Sequence, residues 1–165
     1  MRTLRLGRLA ALALVSLIAA CSGMTVRSQA LEGTDFDQIR TYAWLPRGNY
    51  AVIRPETIDW IRAAVDEELA AKGLTRVVEE DADVRIDEIA SIAEKTQVND
   101  PYFAFEQFET YEEGRLLIVF YEPQTRDVLW QGSAEARLKE LKDVEDRREL
   151  VRDAVAAVMA KYPPR

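Results

Sequence analysis

The stretch that decides the fold is RLLIVFYEPQTRDVLWQGSAEARL, Arg115 to Leu138. Its first seven residues form a continuous apolar run, which reads as a strand either buried on both faces or central in its sheet. Glu122 to Asp127 supplies turn residues. Beyond it Val128, Trp130, Gly132, Ala134, Ala136 and Leu138 alternate with Gln131, Ser133, Glu135 and Arg137, the two-residue period of a strand with one buried face. The two runs therefore predict an antiparallel hairpin.

Outward toward the N-terminus, DADVRIDEIASIAEK (Asp81 to Lys95) begins with the same alternation, Val84 and Ile86 against Asp83, Arg85 and Asp87. Ile89 breaks the parity that Ala90 and Ile92 keep, so a bulge is expected near Asp87-Glu88. Pro55 to Lys72 reads as a helix: Ile58, Ile61, Val65 and Leu69 recur at helical spacing, with Pro55 at its start and Gly73 just past its end. Strand character is expected around Thr25 to Leu31 and at Thr41 to Leu45, the latter stopped by Pro46. A closing helix is expected from Asp143 to Tyr162, with a stripe of Val144, Arg148, Val151, Val155, Val158 and Tyr162, ended by Pro163-Pro164. The order β-β-α-β-β-β-α predicts a two-layer α+β domain, a mostly antiparallel sheet with both helices packed on one face.

The first twenty residues have another character. Arg2, Arg5 and Arg8 precede an apolar stretch from Leu9 to Ala20, too short to span a bilayer, and read as a removable export signal. Ile18-Ala19-Ala20-Cys21 resembles the lipoprotein box of bacterial exported proteins. That resemblance implies a lipid-modified Cys21, and Ser22 after it implies sorting to the outer membrane; the domain is expected to face the periplasm. The alternative is an exported soluble protein with a free thiol at its new terminus. The expected organisation is a signal at 1–20, an acylated cysteine and short tether at 21–24, and one globular domain at 25–165.

Composition narrows the function. The net charge of −7 includes three arginines of the signal, so the mature domain is more acidic still, and nucleic acid is an unsuitable partner. There is no histidine and only one cysteine. Serine–histidine and cysteine–histidine catalysis and His/Cys zinc sites are excluded, and no cofactor is implied. An enzyme would have to work with carboxylates, Lys, Tyr or Ser, and no catalytic constellation stands out.

The fragments DFDQIRTYAWLP (Asp35 to Pro46), AAVDEELAAKGL (Ala63 to Leu74), ADVRID (Ala82 to Asp87), EGRLLIVFYEPQTRDVLWQGSA (Glu113 to Ala134) and AVAAVMAKYPP (Ala154 to Pro164) together resemble the domain of unknown function 4136. That resemblance covers nearly all of the mature chain and implies a small bacterial lipoprotein with no established activity. The family's hairpin turn commonly carries Thr-Gly; here Thr125-Arg126-Asp127 stands instead, so a non-glycine must take the left-handed position or the turn must differ.

Several features invite a site. NDPYFAFEQFETYEE (Asn99 to Glu113) interleaves Tyr102, Phe103, Phe105, Phe108 and Tyr111 with acidic residues, which suits a surface for an envelope protein partner or, more plainly, a strand extension covering the domain's own core. EEDAD (Glu79 to Asp83) offers four carboxylates for a hard cation, without the glycine or spacing of a calcium loop, and reads better as a solvated turn. Trp44, Trp60 and Trp130 suggest a carbohydrate platform or, more simply, core packing. The expectation is a lipid-anchored envelope protein with a binding or assembly role. Its rivals are a lipid- or glycan-binding module with a groove between sheet and helices, and a carboxylate-based hydrolase.

Overall fold

The computed structural model describes residues 23–48, 53–98, 108–138 and 143–164. In chain order the strands are β1 (Met24–Ala30), β2 (Thr41–Trp44), β3 (Thr75–Arg76), β4 (Val84–Val98), β5 (Phe108–Tyr121) and β6 (Val128–Leu138), with helices α1 (Pro55–Ala71) and α2 (Val144–Met159). One six-stranded sheet runs in the order β1-β6-β5-β4-β2-β3. The β1–β6, β6–β5 and β5–β4 pairs are antiparallel, whereas β2 lies parallel to both β4 and β3. The fold is thus α+β with a mostly antiparallel sheet, as expected. The parallel edge and the two-residue β3 are additions.

The apolar run Arg115 to Tyr121 is the middle of β5, flanked on both sides by strands. Its Leu116, Ile118 and Phe120 face the helices and, with Ile86, Trp130, Ile58, Ile61, Val65, Leu69, Val155, Val158 and Met159, form one buried core. Removing such side chains from water stabilises by about 1.5–3 kcal/mol each. The opposite face carries ion pairs such as Arg115 with Glu135 at 2.7 Å and Lys95 with Glu113 at 3.7 Å.

α1 begins at Pro55, where a missing N–H costs nothing, and buries Ile58, Ile61, Val65 and Leu69. Just past its end stands Gly73, whose φ of +85° suits a residue without Cβ. There the Gly73 N–H donates to the Ala70 carbonyl and the Leu74 N–H to the Leu69 carbonyl, each at 3.0 Å. The chain turns straight into β3, whose Thr75 N–H donates to the Arg40 carbonyl at 2.8 Å. α2 is capped by the Asp143 carboxylate, which accepts from the Asp146 N–H at 2.9 Å. It stops at Met159, short of the expected Tyr162, and Val144, placed on the buried stripe by its spacing, is 50% exposed.

The bulge is not where the sequence suggested. β4 and β5 pair without a break from Arg85–Tyr121 to Val98–Phe108, so Glu88 keeps the inward parity and Ile89 faces out, 38% exposed. The irregularity lies instead between β5 and β6, where Phe120 pairs with Trp130 but Tyr121 with Val128. The strand reads through Asp87-Glu88 because an arginine reaches Glu88 from α1, as described below. In the hairpin turn the left-handed position is taken by Arg126, φ +64°. The Glu122 carboxylate accepts from the Gln124 N–H at 2.7 Å and from the Thr125 N–H, and these bonds hold it below the usual carboxylate range, the Thr125 N–H foremost.

Candidate functional site

The inward face of the sheet is graded. At one end the row Ile86–Phe120–Trp130 carries large side chains that meet Tyr162 in a cluster of edge-on and tilted rings 4.6–5.3 Å apart. Next comes Glu88–Ile118–Gly132. The two rows beyond are Ala90–Leu116–Ala134 and Ile92–Gly114–Ala136, built largely from small residues. The helices do not sink into this end, and a groove of about 230 Å³ remains between them and the sheet. Its floor is Ala90, Gly114, Ala134 and Ala136; its walls come from the N-terminal half of α1, including Ile61, and from Leu150, Val151 and Ala154 of α2. Arg54, before α1, Arg115, in β5, and Arg147, in the first turns of α2, stand among the lining residues, and no carboxylate does.

Two polar clusters pin the layers beside the groove. Glu88 has no exposed surface, and its carboxylate accepts from the Arg62 Nε at 2.9 Å. Arg62 also donates to the Leu45 carbonyl at 3.0 Å and lies over the Trp44 ring, 4.7 Å from its centroid. Burial pushes the Glu88 carboxyl up, and the Arg62 guanidinium opposes that shift. The pair ties α1 to β4. Asp66, one turn further along α1, accepts from the Tyr42 hydroxyl at 2.7 Å, the Trp44 indole N–H at 2.8 Å and Arg76 at 3.2 Å. Burial, then the Asp66 bond, raises the Tyr42 hydroxyl above its ordinary value.

Most residues singled out in the sequence are not brought together. Cys21, Tyr102, Phe103 and Phe105 lie outside the described residues. Phe108 opens β5, paired with Val98. Tyr111 is half-buried in the same strand, with the Arg137 guanidinium 3.9 Å above its ring. The tryptophans make no platform: Trp130 and Trp44 are in the core, and Trp60 lies separately under Arg148 at 5.1 Å. In the acidic stretch, Glu79 to Asp81 is a 3-10 turn, while Asp83 accepts from the Arg40 and Thr41 N–H groups at 2.9 and 2.8 Å. Those bonds, led by that from Arg40, hold Asp83 below the usual carboxylate range. Among the described residues no three acids gather to hold a metal, and Glu88 is the one buried carboxylate. Neither the Arg62–Glu88 pair nor the groove floor was legible in the sequence, although the run of small inward residues Gly132, Ala134 and Ala136 was a signal for the floor.

Comparison with known proteins places this architecture. Among solved structures, part of a PDZ domain protein from Parabacteroides distasonis is similar at 16% identity and a TM-score of 0.61; the match covers 86% of this chain and 36% of that one, so the chain spans about a third of that protein. A DUF4136 family protein from Bacteroides thetaiotaomicron is similar at 16% identity over 85% of this chain and 96% of its own, with a TM-score of 0.58. PelC from Paraburkholderia phytofirmans, a dodecamer, is similar at 12% identity over 83% and 95%, with a TM-score of 0.55. At such identities these likenesses show a shared fold. No curated protein matches the chain. The family model for the domain of unknown function DUF4136 matches residues 26–164, nearly all of the described domain, and the chain belongs to that family.

Proposed function

We propose that this protein is a lipid-anchored component of the cell envelope, held at the outer membrane through Cys21 and facing the periplasm, with a binding or assembly role and no catalytic one. The observation that carries the reading is where the fold begins. β1 starts at Met24, three residues after Cys21, leaving Ser22 and Gly23 as the link between an acylated thiol and a folded sheet. Such a link spans about 10 Å at full extension, so the domain would sit against the bilayer. Among the described residues no helix is long and apolar enough to cross a membrane, and a multiply acylated cysteine would anchor the chain without one. The β4–β5 ladder continues six residue pairs past Ile92–Gly114 to Val98–Phe108, about 20 Å at strand rise. The aromatic residues Tyr102, Phe103, Phe105, Phe108 and Tyr111, which in the sequence fall just before β5 and in its first residues, would offer an envelope protein partner a contact surface.

Metabolic labelling with an alkyne fatty acid tests the anchor. The full chain is expected to carry label and Cys21→Ser to carry none; label persisting in the variant overturns the reading.

A further inference from the structure

The groove between the helices and the small-residue end of the sheet is unexplained by packing alone. Its volume of about 230 Å³ exceeds the ~150 Å³ of an apolar cavity that takes up benzene and falls short of the ~300–1,000 Å³ of sites for drug-sized ligands. A space of that size suits a segment of one acyl chain, not a diacyl lipid or a glycan. The lining is correspondingly apolar: Ala90, Ala134 and Ala136 below, Leu150 and Val151 above. Sugars are recognised through several convergent hydrogen-bonding groups, whereas Thr57 and Ser91 are the two hydroxyls among these lining residues.

The charge at the groove points to the head group. In a chain of net charge −7, the lining contains Arg54, Arg115 and Arg147 and no acid, and Arg115 is held by Glu135 at 2.7 Å. Arg54 is weakly engaged by Glu56 at 3.7 Å, both side chains being at least half exposed. Arg147 is half-buried, and among the described residues it forms no ion pair. Of the three guanidiniums, that of Arg147 is the one without an ion pair among the described residues, and it matches a single carboxylate, which it can grip through two parallel N–H donors. We propose that the groove binds one fatty-acid chain, with the carboxylate held by Arg147 and the hydrocarbon lying over Ala134 and Ala136.

Position supplies the access route, and for that route alone the proposal rests on the lipid-anchored reading. Met24 pairs with Ala136 in the sheet, so the groove floor and the site of anchoring are at the same end of the molecule. An acylated Cys21 would hold the groove at the bilayer surface, where fatty acids partition.

The test uses the full chain isolated from membranes and reconstituted in phosphatidylcholine vesicles, illuminated with lauric acid carrying a diazirine and digested for mass spectrometry. Adducts are expected on the segments 134–138 and 147–154. Filling the floor by Ala136→Phe, or separately by Ala90→Leu, should lower them at least tenfold. Arg147→Gln, which leaves the core untouched, should lower labelling by the acid several-fold and leave the weaker labelling by its methyl ester unchanged. Labelling of those segments no stronger than elsewhere, insensitivity to both fillings, or equal response of acid and ester overturns the proposal. So does labelling that arises only in Cys21→Ser, which would mean that the anchor's own chain fills the groove. The intact mass of the same preparation reports whether Cys21 is acylated, so failure of the anchor and failure of the groove are read separately.

Discussion

Gly132 lies where no side chain fits. A Cβ built there would stand 2.5 Å from the Trp130 ring and 2.7 Å from Val158 Cγ1, both fully buried. The glycine lets the indole fold flat over β6 and lets α2 close on it. Gly132→Ala must push one of them aside, and overpacking of this kind costs about 1–3 kcal/mol. We expect a lower urea midpoint with an unchanged slope; a midpoint equal to that of the unaltered chain would show that the ring has room to shift. In the sequence this glycine was legible only as a small inward residue of an alternating strand. What it accommodates is Trp130 two residues away on the same face together with a residue of α2, and that coincidence belongs to packing.

At the scale of elements, the β5–β6 hairpin carries a local compromise. Its turn places Arg126 at φ +64°, a conformation that costs a residue with a Cβ about 1–2 kcal/mol. The surrounding bonds, from the Arg126 N–H to the Glu122 carbonyl at 3.0 Å and from the Glu122 N–H to the Asp127 carbonyl at 2.9 Å, hold it there. Arg126→Gly is expected to raise the thermal midpoint by a few degrees, the gain being reduced by the greater freedom of glycine in the unfolded chain. No rise would mean that the arginine side chain returns as much as its backbone costs. The need for a left-handed residue in this turn was visible in the sequence. Its consequence for register was not, because the shift opposite Leu129 depends on how Trp130 and Phe120 meet across the strands.

For the whole molecule, the Arg62–Glu88 pair joins the helical layer to the sheet. Removing one partner of a buried pair leaves the other charge uncompensated and costs about 3–5 kcal/mol, whereas replacing both by apolar groups is often close to neutral. Glu88→Ala should therefore be strongly destabilising, toward the low end because Arg62 keeps the Leu45 carbonyl and some solvent. Glu88→Leu combined with Arg62→Met should recover most of the loss. Equal losses in the single and double variants, measured by urea unfolding, would show that the pair is not coupled. The carboxyl also makes stability depend on pH. Since burial raises it above the ordinary 4.5, the folded state binds a proton more readily than the unfolded one. Its stabilising contribution is full below about pH 4.5 and is lost as pH climbs through the raised value. Relative to Glu88→Gln, the unaltered chain should lose stability as pH rises above about 4.5 through the raised value; a constant difference would place the Glu88 carboxyl at its ordinary value.

What the sequence by itself determined is what neighbours along the chain control. Ile58, Ile61, Val65 and Leu69 share a face because a helix repeats every 3.6 residues, and Trp130, Gly132 and Ala134 share one because a strand repeats every two. The helices, the hairpin and the α+β class follow from those periods. The periods cannot say which strands lie side by side or at what register. The parallel edge of β2 and β3, the inward turn of Glu88 and the alignment of Ala90, Gly114, Ala134 and Ala136 into one floor were decided only by the tertiary structure. Glu88 shows why: alone in β4 it is an acid to be kept in water, and only an arginine 26 residues earlier, carried to it by α1, makes its burial tolerable. The groove has the same origin, since each small residue is unremarkable in its own strand and leaves a space only when register lays them side by side beneath two helices.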